Sequence, residues 1–307
     1  PLLLGRFFGA LPIVRTQVQR ADADWVHGRA QDSRTHHLLG TTVVVVGCGS
    51  VGAPVACALA QAGVGRMVLV DPEFLGWPNV GRHPLGATDV GRNKAEALAE
   101  QLRTNYPRLT VEHRPWGLHQ LIAQDGNVLS EADLIVAATG NWGAESALNR
   151  WHVAQGRARP ILYGWTEAHA CAGHAVAIGA GDGCLQCHIG RTGAPDVTVI
   201  EWPEGGDATL EEPACGAHYQ PYGPVELAYV TAMIADTAMD CLLEPPAQSF
   251  SRAFVASGRR VAALGGQLTK GWRAAFGELG ESIQTVDRPW PSASCAACGH
   301  RRLDEAA

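Results

Sequence analysis

Basic residues are scarce in this 307-residue chain: 24 Lys and Arg stand against 30 Asp and Glu, a formal net charge of −6. The balance lacks the excess of a general nucleic-acid or membrane-surface binder, so neither partner is expected. No apolar run comes near the roughly 18–20 residues that span a bilayer, and no signal-like segment opens the chain. Internal repeats and low-complexity tracts are missing too. The nine cysteines are an odd number, which does not suit a secreted disulfide framework. Reducing, cytoplasmic surroundings are therefore expected. The first residue is Pro1 rather than Met, and residues 1–26 are expected to be a linker or the tail of a missing upstream domain.

What is present begins with alternating elements. Thr41 to Val46 is a β-branched run that reads as a buried parallel strand, and an Ala-rich helix follows it as far as Gly63. Met67–Val70 predicts a second strand ending at Asp71, Gly91–Asn105 a helix, and Leu134–Ala138 a third strand. A helix over 143–154 and a strand over 161–165 complete the series. Strands alternating with helices imply a doubly wound parallel sheet. Residues 189–223 lack periodicity and read as a long loop. Pro224–Leu243 then predicts a helix, with its proline where proline is tolerated. Short strands follow Pro246.

Gly47-x-Gly49-x-x-Gly52 falls between the first strand and its helix, and Asp71 lies nineteen residues beyond. Glycines there permit a tight turn and close approach of a phosphate to a helix N-terminus, while the carboxylate suits a ribose hydroxyl. This alone does not separate NAD from ATP. Asn79, Arg82 and Lys94 follow within 23 residues of Asp71. A dehydrogenase has no need of that cluster, whereas cleavage of ATP develops charge on a departing pyrophosphate. Two solvated surface cations would be the bland alternative.

The run from Val43 to Lys94 resembles the adenylation core shared by ThiF, MoeB, HesA and ubiquitin-activating enzymes. The resemblance implies a Rossmann-like mixed sheet, parallel in its N-terminal half and mostly antiparallel in its C-terminal half. It further implies ATP and magnesium as cofactors. Asp71 would hold the ribose, Asn79 and Arg82 the phosphates, and Lys94 would neutralise the transition state. An upstream arginine, often supplied across a homodimer, is matched to Arg29, with Arg34 competing. Where the family has Thr-Asp-Asn, this chain has Thr139-Gly140-Asn141. Thr139 and Asn141 are retained nucleotide-site candidates, and magnesium would have to be held through Glu73 or Asp71. His83-Pro84-Leu85-Gly86 resembles bacterial members associated with a ubiquitin-conjugating-type domain, as in antiviral conjugation operons. Residues 27–307 would then be one adenylation domain: a nucleotide-binding half over 27–165 and a C-terminal half over 166–307, with a crossover loop at 189–223.

Cys184-x-x-Cys187 and Cys295-x-x-Cys298 offer four thiolates, which suit a structural tetrahedral zinc, and the resemblance implies the same zinc staple. Cys184-x-x-Cys187-His188 also matches a haem attachment pattern, a chemistry that needs export. Cys215, on the loop before the Pro224 helix, is matched to the family's thioester-forming nucleophile, with Cys171 as runner-up and an inert thiol as the alternative. Cys48, Cys57 and Cys241 read as buried small hydrophobes. The expected function is ATP-dependent adenylation of the C-terminal carboxylate of a small protein, either ubiquitin-like or a sulfur carrier, followed by thioester formation. The rivals are an NAD-dependent oxidoreductase, a catalytically weakened nucleotide-binding module and a tRNA-modifying adenylyltransferase.

Overall fold

The computed structural model describes residues 6, 9, 15–29, 31–190, 192–203, 210–211, 218–219, 221–291 and 294–299. Its centre is β1, Thr42–Val46, with Val43 to Val46 wholly buried. Parallel neighbours flank it: β2 (Arg66–Val70) on one side and β4 (Leu134–Ala137) on the other, so that Val44 lies between Val68 and Ile135. Alternate side chains of β1 enter different cores. Val43 and Val45 pack with Leu59, Leu98 and Ile234, and Val44 and Val46 with Leu121, Leu129 and Leu148. A strand covered on both faces reads as the uninterrupted apolar run seen in the sequence.

The sheet continues outward from β2 to β3 (Thr110–Arg114), and from β4 to β5 (Ile161–Thr166), all parallel. Beyond β5 the direction reverses. β6 (Ala172–Ile178) runs antiparallel to it, and β10 (Phe250–Val255) and β12 (Gln284–Pro289) follow antiparallel in turn. The order β12-β10-β6-β5-β4-β1-β2-β3 is the mixed sheet expected, parallel in one half and antiparallel in the other. Two short antiparallel pairs lie outside it: β7 (Ile200–Glu201) with β11 (Gln267–Leu268), and β8 (Leu210–Glu211) with β9 (His218–Tyr219).

Between β1's departures toward β2 and β4 the strand order switches. Ligands of open α/β sheets settle at such a point, beyond the strands' carboxyl ends. The helix Gly52–Ala62 starts there and ends on Gly63 in the left-handed region, as the sequence suggested. Asn93 caps the helix Lys94–Asn105 through the Glu96 N–H. Asn141 caps Trp142–Ala154 through Ala144 N–H. The helix Ala23–Gly28 straddles the expected boundary at residue 26, and His27 rests against Gly63. No helix among the described residues is long and apolar enough to cross a membrane.

Two glycines seat the twenty-residue helix Pro224–Leu243 on β5 and β6. A Cβ on Gly164 would stand 2.8 Å from Ile234 Cδ1, and one on Gly173 2.3 Å from Val230 Cγ1. Gly173→Ala therefore forces the helix away from the sheet. In urea unfolding it should cost about 1–3 kcal/mol, typical of overpacking. Adding Val230→Ala should recover part of that loss, so equal destabilisation of the double and summed single variants would rule this packing out.

Candidate nucleotide site and cysteine cluster

The glycines of the first loop do different jobs. Gly47 has φ +92°, and a Cβ there would lie 2.6 Å from Ala138 O. A Cβ on Gly52 would come within 1.9 Å of Gly47 O. Both are demanded by the turn itself. Gly49 has no atom within 4 Å of its Cβ position, so its backbone is the part left open to a ligand.

Asp71, at the end of β2, holds this loop. Its carboxylate accepts the Cys48 N–H at 2.7 Å and the Glu73 N–H at 2.8 Å, and only 5% of the residue is exposed. Burial raises its pKa against the pull of those two donors and of Lys94. Asn93 donates to the carbonyls of Asp71 and Glu73 at 2.9 and 3.2 Å. Lys94 is buried and its Nζ meets Glu73 Oε2 at 2.5 Å. Asp71, Glu73, Lys94 and the loop are thus one connected unit. Each oxygen of Asp71 already accepts a backbone N–H and Glu73 pairs with Lys94, so neither expected magnesium carboxylate stands unpartnered.

Asn79 and Arg82 share the 3-10 turn Trp77–Arg82, where Asn79 Oδ1 accepts the Gly76 N–H at 2.9 Å. His83 follows. It accepts the Leu85 N–H on Nδ1 at 3.1 Å, which leaves Nε2 to donate to Cys48 O at 2.7 Å. Burial lowers the pKa of this imidazole, favouring the neutral form that the two bonds require.

Arg82 faces the loop across a cleft of 270 Å³ lined by Gly49, Ser50, Thr139, Gly140, Thr166 and Tyr222. Its guanidinium carbon stands 5.3 Å from the centre of the Tyr222 ring, and no carboxylate pairs with it among the described residues. Tyr222 also meets Ser50 Oγ through its hydroxyl at 2.8 Å. This tyrosine, like Asn93, was missed in the sequence. Asn93 gave a signal, a helix-capping residue just before Lys94. Tyr222 gave none, because it reaches the loop from 172 residues away.

The cleft shares Gly140, Trp165 and Thr166 with the wall of a second cavity, of 490 Å³. Its wall includes Trp142, Trp202 and two carboxylates. Glu145 accepts the Thr139 hydroxyl at 2.9 Å, and burial raises its pKa. Glu167 accepts from His174 Nε2 at 2.7 Å, Val199 N–H at 2.8 Å and Ile200 N–H at 3.0 Å, which fastens the 199–200 segment to the end of β5.

Arg29 is not brought to the cleft within one chain. It ends the helix whose His27 bonds Gln61 O, at the far end of the Gly52–Ala62 helix, about 16 Å from the loop by helix rise. Its competitor Arg34 is paired with Asp32 at 2.7 Å. Cys215 lies outside the described residues. The runner-up, Cys171, is fully buried, and burial raises its pKa, which disfavours the thiolate that a nucleophile needs. Cys48 and Cys241 are buried as expected, and Cys57 is partly buried.

The two cysteine pairs meet. All four sulfurs lie within 4.8 Å of one another, with Cys184–Cys295 and Cys187–Cys298 each at 3.9 Å. Sulfurs about 2.3 Å from a tetrahedral metal would stand about 3.8 Å apart. The cluster can hold a metal ion, and the crowding of thiols, with the Cys187 contact first, drives the Cys184 pKa far up in its absence.

Tyr222 offers a direct test of the cleft. Tyr222→Phe, which loses only the Ser50 bond, should weaken ATP binding roughly 2–10-fold. Tyr222→Ala should weaken it further, because the Arg82 contact goes as well. Calorimetric titration with ATP giving wild-type affinity for both would remove this residue from the site.

Comparison with known proteins agrees with this geometry. The ThiF family profile matches residues 26–259. The ATP-dependent ubiquitin transferase-like protein Cap2 of Pseudomonas aeruginosa is 30% identical over 239 residues, covering 75% of this chain and 41% of that protein. The SAMP-activating enzyme E1 of Haloferax volcanii is 29% identical over 178 residues, covering 58% and 64% respectively. The chain thus spans less than two thirds of either relative. Among solved structures, Escherichia coli MccB with AMPCPP and MccA superposes with a TM-score of 0.57 at 17% identity, covering 87% of this chain and 68% of that one. That likeness extends the shared fold well into the antiparallel half. The matched profile includes the phosphate loop, the Asp71–Lys94 unit and the cleft they line, and this chain belongs to the ThiF family.

Proposed function

We propose that the chain adenylates the C-terminal carboxylate of a small protein at the expense of ATP. The observation that carries this reading is a cleft between the open Gly49 backbone and Arg82 that shares Gly140, Trp165 and Thr166 with the wall of a larger neighbouring cavity. The first suits nucleotide phosphates, and the second has room for an extended tail. The reaction joins a carboxylate oxygen to the α-phosphorus as the bond to the bridging oxygen of pyrophosphate breaks. Arg82 and Lys94 supply positive charge where the leaving pyrophosphate gathers negative charge, and Asn79 donates from the same turn as Arg82. Asp71 positions the loop and faces the ribose. Thr139 and Asn141 order the turn at Gly140 that the two cavities share.

Magnesium, a hard cation with oxygen ligands, accompanies such phosphates. Of the two carboxylates expected to hold it, Asp71 is buried against two backbone amides, whereas Glu73, paired with Lys94, keeps a side chain that is 69% exposed and would be the one to share. For the four-cysteine cluster, zinc fits the donor set and the sulfur spacing. Its role is structural: it fastens Cys184 and Cys187, beyond β6, to the C-terminal end. After adenylation, Cys215 would take the acyl group as a thioester and release AMP.

The named substrates of the relatives point to ubiquitin-like or sulfur-carrier proteins as partners. A second copy of the chain would complete the site with Arg29. A ubiquitin-conjugating-type domain is a further partner in this proposal.

ATP–pyrophosphate exchange with candidate small proteins tests the reading. Exchange should require the partner, fall about 10²–10³-fold in Lys94→Ala, and persist in Cys215→Ala. Exchange that survives Lys94→Ala, or that needs no partner, would count against it. Elemental analysis should find one zinc per chain, and less than half of that in Cys298→Ser, together with a lower Tm. A wild-type protein purified with no thiolate-bound metal, yet equally stable, would show that the cluster needs none.

A further inference from the structure

The turn between β5 and β6 is shaped against local preference. Glu167 N–H donates to Ala172 O at 2.8 Å, so the chain reverses within the residues between them. It does so with His169 at φ +57° and Ala170 at φ +47°, two successive residues with side chains in the left-handed region. Such a conformation is costly and persists only where surrounding contacts fix it.

The turn grips one segment of the chain, Val199 to Trp202. Glu167 Oε1 accepts the Val199 N–H at 2.8 Å and His174 Nε2 at 2.7 Å, and its Oε2 accepts the Ile200 N–H at 3.0 Å. The His169 ring packs on Trp202 with 4.6 Å between centroids. On the other side, Thr269 donates its N–H to Val199 O and its hydroxyl to Thr198 O, each at 2.9 Å. Val199 and Ile200 are buried between these two sets of bonds. The three partners of the Glu167 carboxylate all donate, and a carboxylate can accept from all of them. A carboxamide cannot: in either orientation its NH2 would confront the N–H of Val199 or that of Ile200.

The gripped segment has a second side. Ile200 and Trp202, with Thr198, form part of the wall of the 490 Å³ chamber proposed above to take the tail. We propose that Glu167 is a positioning residue for the protein client, because its carboxylate lays down that wall before the tail arrives. Binding then need not include the cost of ordering the segment. The client's part in this rests on the proposed adenylation; the clamp itself stands on the hydrogen bonds.

Two variants disturb the wall from different sides. Glu167→Gln keeps the size of the side chain and removes its charge. Gly266→Ala leaves Glu167 intact, but its Cβ would stand 3.0 Å from both Ile200 Cγ2 and the Trp202 ring. Leu129→Ala, a core cavity beneath β1, is the control for general loss of stability. Hydrogen exchange of the full chain, read by NMR, tests the clamp with no client present. In Glu167→Gln the amide of Val199 or Ile200 should exchange roughly 10–100-fold faster relative to those of Val44 and Val45. Leu129→Ala should not produce that difference. An equal rise at all four amides in Glu167→Gln, or no rise, overturns the clamp.

The second arm is pyrophosphate exchange with the protein partner. Glu167→Gln and Gly266→Ala should each raise KM for that partner roughly 10-fold, with kcat and KM for ATP near those of wild type. Leu129→Ala should leave all three in place. An unchanged partner KM, or a loss that falls instead on kcat or on KM for ATP, overturns the positioning role. Gly266→Ala carries this arm by itself if Glu167→Gln does not fold, and an unchanged partner KM in it is equally decisive. If wild-type protein shows no exchange with any partner, the adenylation reading falls and the client's part with it, while the amide rates decide the clamp alone.

Discussion

The Asp71 carboxylate is the constraint on which the nucleotide site depends. By accepting the amides of Cys48 and Glu73 it ties the phosphate loop to the end of the neighbouring strand. The tie then propagates: Asn93 grips the carbonyls of Asp71 and Glu73, and the next residue, Lys94, pairs with Glu73. His83 closes the circuit by donating to the carbonyl of Cys48. A loop held at both the N–H and the carbonyl of one residue presents its free glycine in a fixed place. Preorganisation of this kind lowers the cost of gathering charge around a leaving group.

Electrostatics and burial work together here. Lys94 is sunk against the sheet and pairs with Glu73, a carboxylate that is largely exposed. Arg82 is treated differently. It rests on an aromatic face, which steadies the planar group without neutralising it. One cation is therefore held through charge and the other through shape, which matches the point-charge and fork geometries of the two side chains. Tyr222 joins these arrangements to the C-terminal half, since its hydroxyl touches Ser50 while its ring carries Arg82.

The elements that could be read from the sequence were those whose environment is uniform. β1, β2 and β4 are covered on both faces, so their apolar runs declared them, and the glycine spacing located the loop between strand and helix. The reversal after β5 followed from the family resemblance, and the meeting of the cysteine pairs from their C-x-x-C spacing as well as from it. β3 was not seen, because Thr110–Arg114 is an edge strand whose Glu112 and Arg114 pair with each other and with Arg66 and Asp125 instead of adding to an apolar run. β6 was not seen either. Its Ala-Gly-His composition has little β-propensity, and the register between β5 and β10 makes it a strand by tertiary packing alone. Cys171, the runner-up nucleophile, is buried just before this strand begins. Tyr222 and Glu167 belong to contacts spanning tens to hundreds of residues, which local pattern does not carry.

The chain order of the site has a further meaning. The phosphate loop, Asp71, Arg82 and Lys94 fall within one continuous stretch of sequence, from Gly47 to Lys94, on the parallel half of the sheet. The chamber wall draws on both halves: Gly140, Trp142 and Glu145 follow β4, Trp165 and Thr166 end β5, and Leu185, Thr198 and Trp202 lie beyond β6. On the proposed reading, substitutions confined to the segment from Leu185 to Trp202 would reshape the chamber while leaving the Gly47–Lys94 stretch untouched, so that a client could change while the nucleotide stayed the same.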